Sequence, residues 1–214
     1  MKITKLVHSC LLIEKDDKRV LADPGDYSWA SGLITPEILS NLDAICITHE
    51  HPDHFDENFC RAILAASPNA VWLAPSGVGE RLKALGIEKL VDQTDFISVE
   101  TSEHADLEPL GERPEHQSYL ILRELLLSGD CQTHTSLAGA RVLAGPINGG
   151  PWGALMGELR MVNRLDKKPE VFIPLHDWHW RDEARESLYT MLTGYFSENG
   201  MRFIATKSGE TYEV

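Results

Sequence analysis

Positive charge is in short supply. The chain has 20 Lys and Arg against 33 Asp and Glu, a formal net charge of -13 and a pI near 5.1. That balance opposes nucleic acid or an anionic membrane as the main partner, since both are recognised through basic patches. No apolar run reaches the roughly 20 residues that cross a bilayer. The opening Met1-Lys2-Ile3-Thr4-Lys5 has no apolar signal core, so secretion is not expected. Cysteine is scarce. Cys10, Cys46, Cys60 and Cys131 form no C-x-x-C pair, and two of them lie in apolar stretches, which fits a reducing, cytoplasmic location. What remains is 43% hydrophobic and 25% charged over 214 residues, ordinary for a soluble globular protein. Residues 1–214 are read as one domain with a substantial core.

What the chain does have is histidine in a pattern. Thr48-His49-Glu50-His51-Pro52-Asp53-His54-Phe55-Asp56 places three histidines and an aspartate in the order His-x-His-x-Asp-His. The apolar Ala44-Ile45-Cys46-Ile47-Thr48 before it reads as a buried strand, and Phe55, Phe59, Ile63 and Ala66 after it recur at helical spacing. Residues two apart in extended backbone face the same way, so His49 and His51 can grip one ion together. Pro52 then bends the chain and aims Asp53 and His54 elsewhere. Imidazole with carboxylate suits zinc and other borderline divalent metals. A single histidine would be an ordinary surface residue, whereas three in this pattern argue for a metal.

Read in order, the chain alternates short strands and helices. Strands are expected at 3–7, 10–14 and 19–23, the last ending in the turn Asp23-Pro24-Gly25. Tyr27 to Asn41 reads as a loop with one short helix after Pro36. A strand at 70–74 is followed by a helix that Ser76 caps and Gly86 ends. Phe96 to Glu100 is a strand that leads to His104, and residues 107–116 form a polar loop ending in His116. Leu125-Leu126-Leu127 runs into Ser128-Gly129-Asp130. Arg141 to Ala144 is a strand opening on the glycine-rich stretch from Gly145 to Gly153, which has no G-K-[ST] and so is no phosphate loop. A helix carrying Leu155, Leu159 and Val162 follows. The strand from Val171 ends in His176, and Asp177, Trp178, His179 and Trp180 come next. A last helix carries Leu188, Met191, Leu192 and Tyr195, with strands at 201–205 and 211–214. Asp23, His49, His104, Asp130 and His176 each close or closely follow an apolar strand. If those strands share an orientation, five ligand-type residues meet at one edge, where α/β folds bind their ligands. Taken alone, Asp23 is as readily a turn residue, His116 a solvated loop residue, and Trp178 and Trp180 packing residues.

The His-x-His-x-Asp-His motif, with the later ladder of His104, Gly129-Asp130 and His176, resembles the metallo-β-lactamase superfamily. The likeness runs from about Asp23 to His176. It implies a four-layer αββα sandwich in the α/β (α+β) class, with two divalent cations. Zn2+ is the first expectation, and Mn2+ and Fe2+ are alternatives. It assigns one cation to His49, His51 and His104 and the other to Asp53, His54 and His176, with Asp130 as the bridge. His104 is preferred to His116 as the third ligand because it ends a strand. In the resembled family Asp23 supports the site from behind the ligands, and one branch has a histidine at the position of His8. His116, Trp178 and His179 are candidates for facing substrate. Asp53, His54 and Asp130 are the residues on which catalysis would turn.

The departures narrow the branch. His51 is not the Glu of the diiron oxygen reductases. Asp130 is not the Cys of many secreted β-lactamases, and Cys131 stands where Ser or Thr is usual. The chain looks like the compact branch that includes ascorbate-6-phosphate lactonase and the N-acyl phosphatidylethanolamine phospholipase. The implied activity is a metal-dependent hydrolase, in which hydroxide formed at the metals attacks the lactone, ester or amide carbonyl of a small anionic substrate. A phosphodiesterase using the same ions is the alternative, and a metal-binding or regulatory protein without turnover is the second. The expected partner is a small-molecule substrate, without nucleic acid or membrane; self-association is left open.

Overall fold

The strands alternate apolar residues between two faces, and both faces turn out to be covered. The computed structural model describes residues 1–134, 139–148 and 155–214. One six-stranded sheet runs β12 (Thr211–Glu213), β1 (Lys2–Lys5), β2 (Leu11–Lys15), β3 (Lys18–Ala22), β4 (Ala44–Cys46), β5 (Val71–Leu73). The other runs β11 (Arg202–Phe203), β10 (Val171–Leu175), β9 (Val142–Pro146), β8 (Leu125–Leu127), β7 (Gln117–Ile121), β6 (Ile97–Thr101).

Ile13, Val20, Ala44 and Leu73 from the first sheet pack against Tyr119, Leu127, Ala144 and Ile173 from the second, forming the inter-sheet core. The opposite face of the first sheet, through Leu12, Leu21, Ile45 and Trp72, meets Phe59 and Ile63 of α3 (Glu57–Ala66) and Val78 and Leu82 of α4 (Ser76–Ala84). The opposite face of the second, through Leu126, Leu143 and Phe172, meets Val162 of α5 (Leu155–Arg164) and Leu192 and Phe196 of α6 (Asp182–Glu198). The layers are therefore helix, sheet, sheet, helix, as periodicity of two in strands and 3.6 in helices requires.

Strand direction does the rest. β3, β4 and β5 run parallel in the first sheet. In the second, β8, β9 and β10 are parallel, and β6 joins them because both it and β8 run antiparallel to β7. The C-terminal ends of the ligand-bearing strands thus share one edge within each sheet. Those edges are linked to each other: Tyr119 donates its hydroxyl to Ile47 O at 2.8 Å, Gln117 donates its N–H to Thr48 O at 2.9 Å, and Lys5 Nζ donates to Pro174 O at 2.8 Å.

Some local expectations need correction. The segment read as a loop with one helix holds two, α1 (Asp26–Ala30) and α2 (Pro36–Leu39). α1 is a single turn held by tertiary contacts: the Asp26 N–H donates to Pro52 O, and Trp29 stacks on Phe59. Ser76 does not cap α4 from outside but opens it. Glu115 takes the capping role, accepting from Ser76 Oγ and from the Gly77 N–H. The strand expected at 201–205 shortens to β11, and Gly149 to Gly153 lie outside the described residues.

Candidate metal centre

The His-rich motif forms the turn between β4 and α3. Its backbone folds onto the turn after β3, where Gly25 is required by space: a Cβ there would sit 1.9 Å from Asp53 O. Asp23, at the end of β3, accepts from the Thr48 N–H at 2.8 Å and from Thr48 Oγ at 3.0 Å. It also accepts from His54 Nδ1 at 2.8 Å. With Nδ1 committed, His54 must turn its Nε2 inward. This is the usual way in which a carboxylate behind a ligand fixes tautomer and ring direction. His49 Nδ1 is likewise 3.0 Å from Thr48 Oγ, and His104 Nδ1 donates to Ala105 O at 2.7 Å.

The inward-facing ligand atoms form three overlapping groups, one of them His8, Asp53 and His176. His49 Nε2 and His51 Nδ1 lie 2.9 Å apart, and His49, His51, His104 and Asp130 offer ligand atoms within 4.8 Å of one another. His54 Nε2 and His176 Nε2 also lie 2.9 Å apart and group with Asp130. Asp130 therefore belongs to both. Its Oδ2 is 3.2 Å from His104 Nε2, while its Oδ1 is 2.8 Å from His176 Nε2 and 3.2 Å from His54 Nε2. Asp53 stands at the edge of the second cluster. Its Oδ2 is 3.6 Å from His54 Nε2 and accepts from His8 Nε2 at 3.0 Å.

These residues fit divalent cations on a direct observation. Both oxygens of Asp130 and Nε2 of His104 are buried, yet no aligned hydrogen bond reaches them. Buried polar atoms are nearly always paired, and a set of orphaned acceptors facing one another marks a place where a cation belongs. Ionisation agrees. Burial would drive the His54 pKa down, but Asp23, Asp53 and Asp130 around it outweigh burial and hold it well above its ordinary value. Burial likewise would raise Asp130, but the His176 and His54 rings hold it well below. Burial first, then its histidine neighbours, pushes His49 well below and His51 below the usual imidazole range, leaving lone pairs for coordination.

The other residues singled out by sequence fall in different places. His104 is among the clustered nitrogens, and His116 is not in any of the clusters. His116 is no solvated loop residue either: it is buried, and burial lowers its pKa to about 3. His8, with backbone φ of 62°, stacks on His176 at 4.3 Å and contacts Tyr27 and His179 edge-on. Burial, with His176 beside it, takes its pKa to about 3. Trp178 is half-exposed and stands 6.4 Å from Tyr27, so Trp178, His179 and Tyr27 form an aromatic rim beside Asp53 and His176. Cys131 is buried, as a small packing residue would be.

Three groups at or near the site went unread in the sequence. Tyr27 lay in a stretch read as loop. Ser9, whose Oγ is 3.2 Å from His54 Nε2, follows His8 in a stretch without pattern. Lys5, in β1, is fully buried and joins Asp177, next to His176, at 2.7 Å. Only a polar side chain on an inward strand position hinted at that pair.

The Beta-lactamase superfamily domain profile matches residues 2–176, and the chain belongs to that family. It has the two-sheet fold of that family's metal-dependent hydrolases. Protein Rv0786c of Mycobacterium tuberculosis is 41% identical over 70 residues, 33% of this chain and 31% of that protein, so the chain spans less than a third of that relative. Hydroxyacylglutathione hydrolase of Actinobacillus pleuropneumoniae is 26% identical over 166 residues, 78% of this chain and 64% of that enzyme. Among solved structures, Igni18, a metallo hydrolase from Ignicoccus hospitalis, superposes with a TM-score of 0.70 at 19% identity, over 100% of this chain and 98% of the other. That last likeness is one of fold.

Proposed function

We propose that this chain is a hydrolase that works through two divalent cations, cleaving a lactone, ester or amide in a small anionic substrate. The observation that carries the reading is the placement of Asp130, whose two oxygens face different sets of imidazoles. One carboxylate can hold two cations about 3.5–4 Å apart, the spacing of two-metal sites. In this reading His49, His51 and His104 hold one ion, Asp53, His54 and His176 hold the other, and Asp130 joins them. When bound, such ions lower the pKa of water to ≈ 7 and polarise the electrophile's oxygen.

The chain's own residues do the rest. Asp23 and Thr48 fix the rings of His54 and His49, so the nitrogens are aimed before any ion arrives. Asp53 and Asp130 return two negative charges to the centre, leaving it net positive and suited to an anionic substrate or a developing oxyanion. Asp53, held by His8, stands beside the aromatic rim and would take a proton from the attacking water and hand it to the leaving group. Zn2+ is the expected metal, with Mn2+ or Fe2+ where availability favours them. The partner is a small molecule, and the setting a reducing cytoplasm.

The test is elemental analysis of protein purified without added metal, followed by turnover of a lactone, ester, amide and phosphodiester panel. The reading expects more than one equivalent of metal and hydrolysis of a carbonyl substrate. Turnover confined to phosphodiesters would move the assignment to the phosphodiesterase class. Fewer than one equivalent with no turnover would sink both.

A further inference from the structure

The carboxylate of Asp130 is asked to face two ligand sets at once, yet no aligned hydrogen bond restrains either oxygen. Its aim must come from the backbone. That backbone is gripped at two points. Asp130 O accepts from the Ala105 N–H at 2.9 Å, which ties it to the His104 segment. The Asp130 N–H donates to His116 Nε2 at 3.1 Å.

His116 stands directly before β7, with its ring 5.2 Å from His49 and 5.8 Å from His104. Its ring borders those of His49 and His104 without joining their group, and both its nitrogens are engaged elsewhere. A peptide N–H can only donate, so Nε2 must be the bare acceptor, and a neutral ring then carries its proton on Nδ1. Nδ1 is 2.8 Å from Ser102 Oγ. Ser102 Oγ is 2.9 Å from Ser118 Oγ, and Ser118 donates to Ser128 O at 3.1 Å. With Nδ1–H as the first donor, Ser102 Oγ accepts and can pass its own proton on to Ser118, whose Oγ also lies 3.3 Å from His134 Nε2. The series also closes on itself: it leaves the turn at the Asp130 N–H and returns to it at Ser128 O. Gly129, between the two, has φ of +55°, and a Cβ there would meet His116 Nε2 at 2.6 Å and Thr48 Cβ at 2.8 Å. The glycine of Gly129-Asp130 is what lets the imidazole reach the turn.

We infer that His116 is a positioning residue rather than a ligand: as the Nδ1–H tautomer it clamps the Ser128–Asp130 turn through the Asp130 N–H and so aims the bridging carboxylate. This rests on the proposed role of Asp130. Groups that orient ligands from behind typically change metal affinity by 10–100-fold when removed.

The experiment titrates Co2+ into metal-free wild type, His116→Gln, His116→Leu and Asp130→Asn, reading stoichiometry and the visible spectrum, with circular dichroism for folding. A glutamine amide oxygen can accept the same N–H, whereas leucine cannot. His116→Leu is expected to bind its second equivalent about 10–100-fold more weakly with an altered spectrum. His116→Gln is expected to recover most of both. Wild-type binding by His116→Leu, or a Gln variant as defective as the Leu one, overturns the inference. If His116→Leu does not fold, 15N NMR of the wild-type ring decides: Nδ1–H supports the clamp and Nε2–H refutes it. Asp130→Asn separates the two levels of argument. Should it bind both equivalents normally, the proposed centre itself fails. Should it lose one while His116→Leu binds normally, only the clamp falls.

Discussion

Replacing Asp130 by Asn keeps the shape of the side chain and removes its charge. An amide oxygen is a weaker ligand than a carboxylate oxygen, and an amide nitrogen has no lone pair to offer a cation. The sheets do not depend on this side chain, whose oxygens face the imidazoles of His54, His104 and His176 and make no aligned hydrogen bond. Asp130→Asn should therefore be folded by circular dichroism, hold the second ion poorly and lose at least ~10²-fold in kcat, the scale of removing a key electrostatic group. Near wild-type turnover would take Asp130 out of the centre. The neighbouring Ser9, Tyr27 and His8 are a different kind of case. Ser9 and His8 are placed by a tight turn after β1 in which His8 has a left-handed backbone, and Tyr27 by the single turn of α1, and none of these leaves a periodic trace.

At the scale of elements, the turn after β10 is tied to the opposite sheet by Lys5. Its ammonium donates to Pro174 O at 2.8 Å and pairs with Asp177, which also accepts from the Tyr189 hydroxyl of α6. Breaking one side of a buried pair strands the other charge, at a cost of about 3–5 kcal/mol, whereas replacing both with apolar residues is often neutral. Lys5→Met should show that loss in urea unfolding, and Lys5→Met with Asp177→Leu should regain most of it; equal losses would deny the coupling. α5 offers a pH test. Glu158 is fully buried over Gly145 with neither carboxyl oxygen bonded among the described residues, and burial raises its pKa well above the carboxylate range. A raised carboxyl favours the fold below its unfolded pKa, near 4.3, and that stability is lost as pH rises toward the folded value. Glu158→Gln should flatten this decline and gain about 1 kcal/mol or more at pH 8, the worth of a tenfold change in proton affinity. A pH–stability curve parallel to wild type would contradict it.

These elements also show what a one-dimensional reading reaches. The strands that end at Ala22, Cys46, Leu127 and Leu175 were legible to within one or two residues, because apolar runs stop at the polar residues Asp23, Thr48, Ser128 and His176. Two-residue periodicity plus a proline gave the expectation that His49 and His51 face one way and His54 another; their nitrogens lie in different groups. α1 was not legible, since one turn held by Pro52 O and Phe59 has no amphipathic repeat. The Lys5–Asp177 pair and the burial of His116 were hidden too, because partners far apart in sequence, and not local pattern, decide whether a polar side chain is exposed or enclosed.

For the whole molecule, the centre is a seam. His49, His51, Asp53 and His54 come from the first sheet's edge, and His104, Asp130 and His176 from the second's. Ligands that bind only the folded state stabilise it by about 2.7 kcal/mol at a hundredfold excess over Kd. For a chain of this size that is roughly 5–10 °C in Tm. Stripping metal with a chelator should lower the melting temperature by about that much, and Zn2+ should restore it. An unchanged melting curve would mean that no resident ion braces the two halves.

The split of ligands between sheets has a further meaning for how the protein is made. Neither sheet alone presents a finished set, and His176, which lies beyond nearly all the strands, comes late from the ribosome. An emerging chain therefore offers only a loose partial grip to passing ions. On the proposed assignment the full set of ligands exists only once the sheets have closed on each other, so ion capture would mark completed assembly rather than seed it.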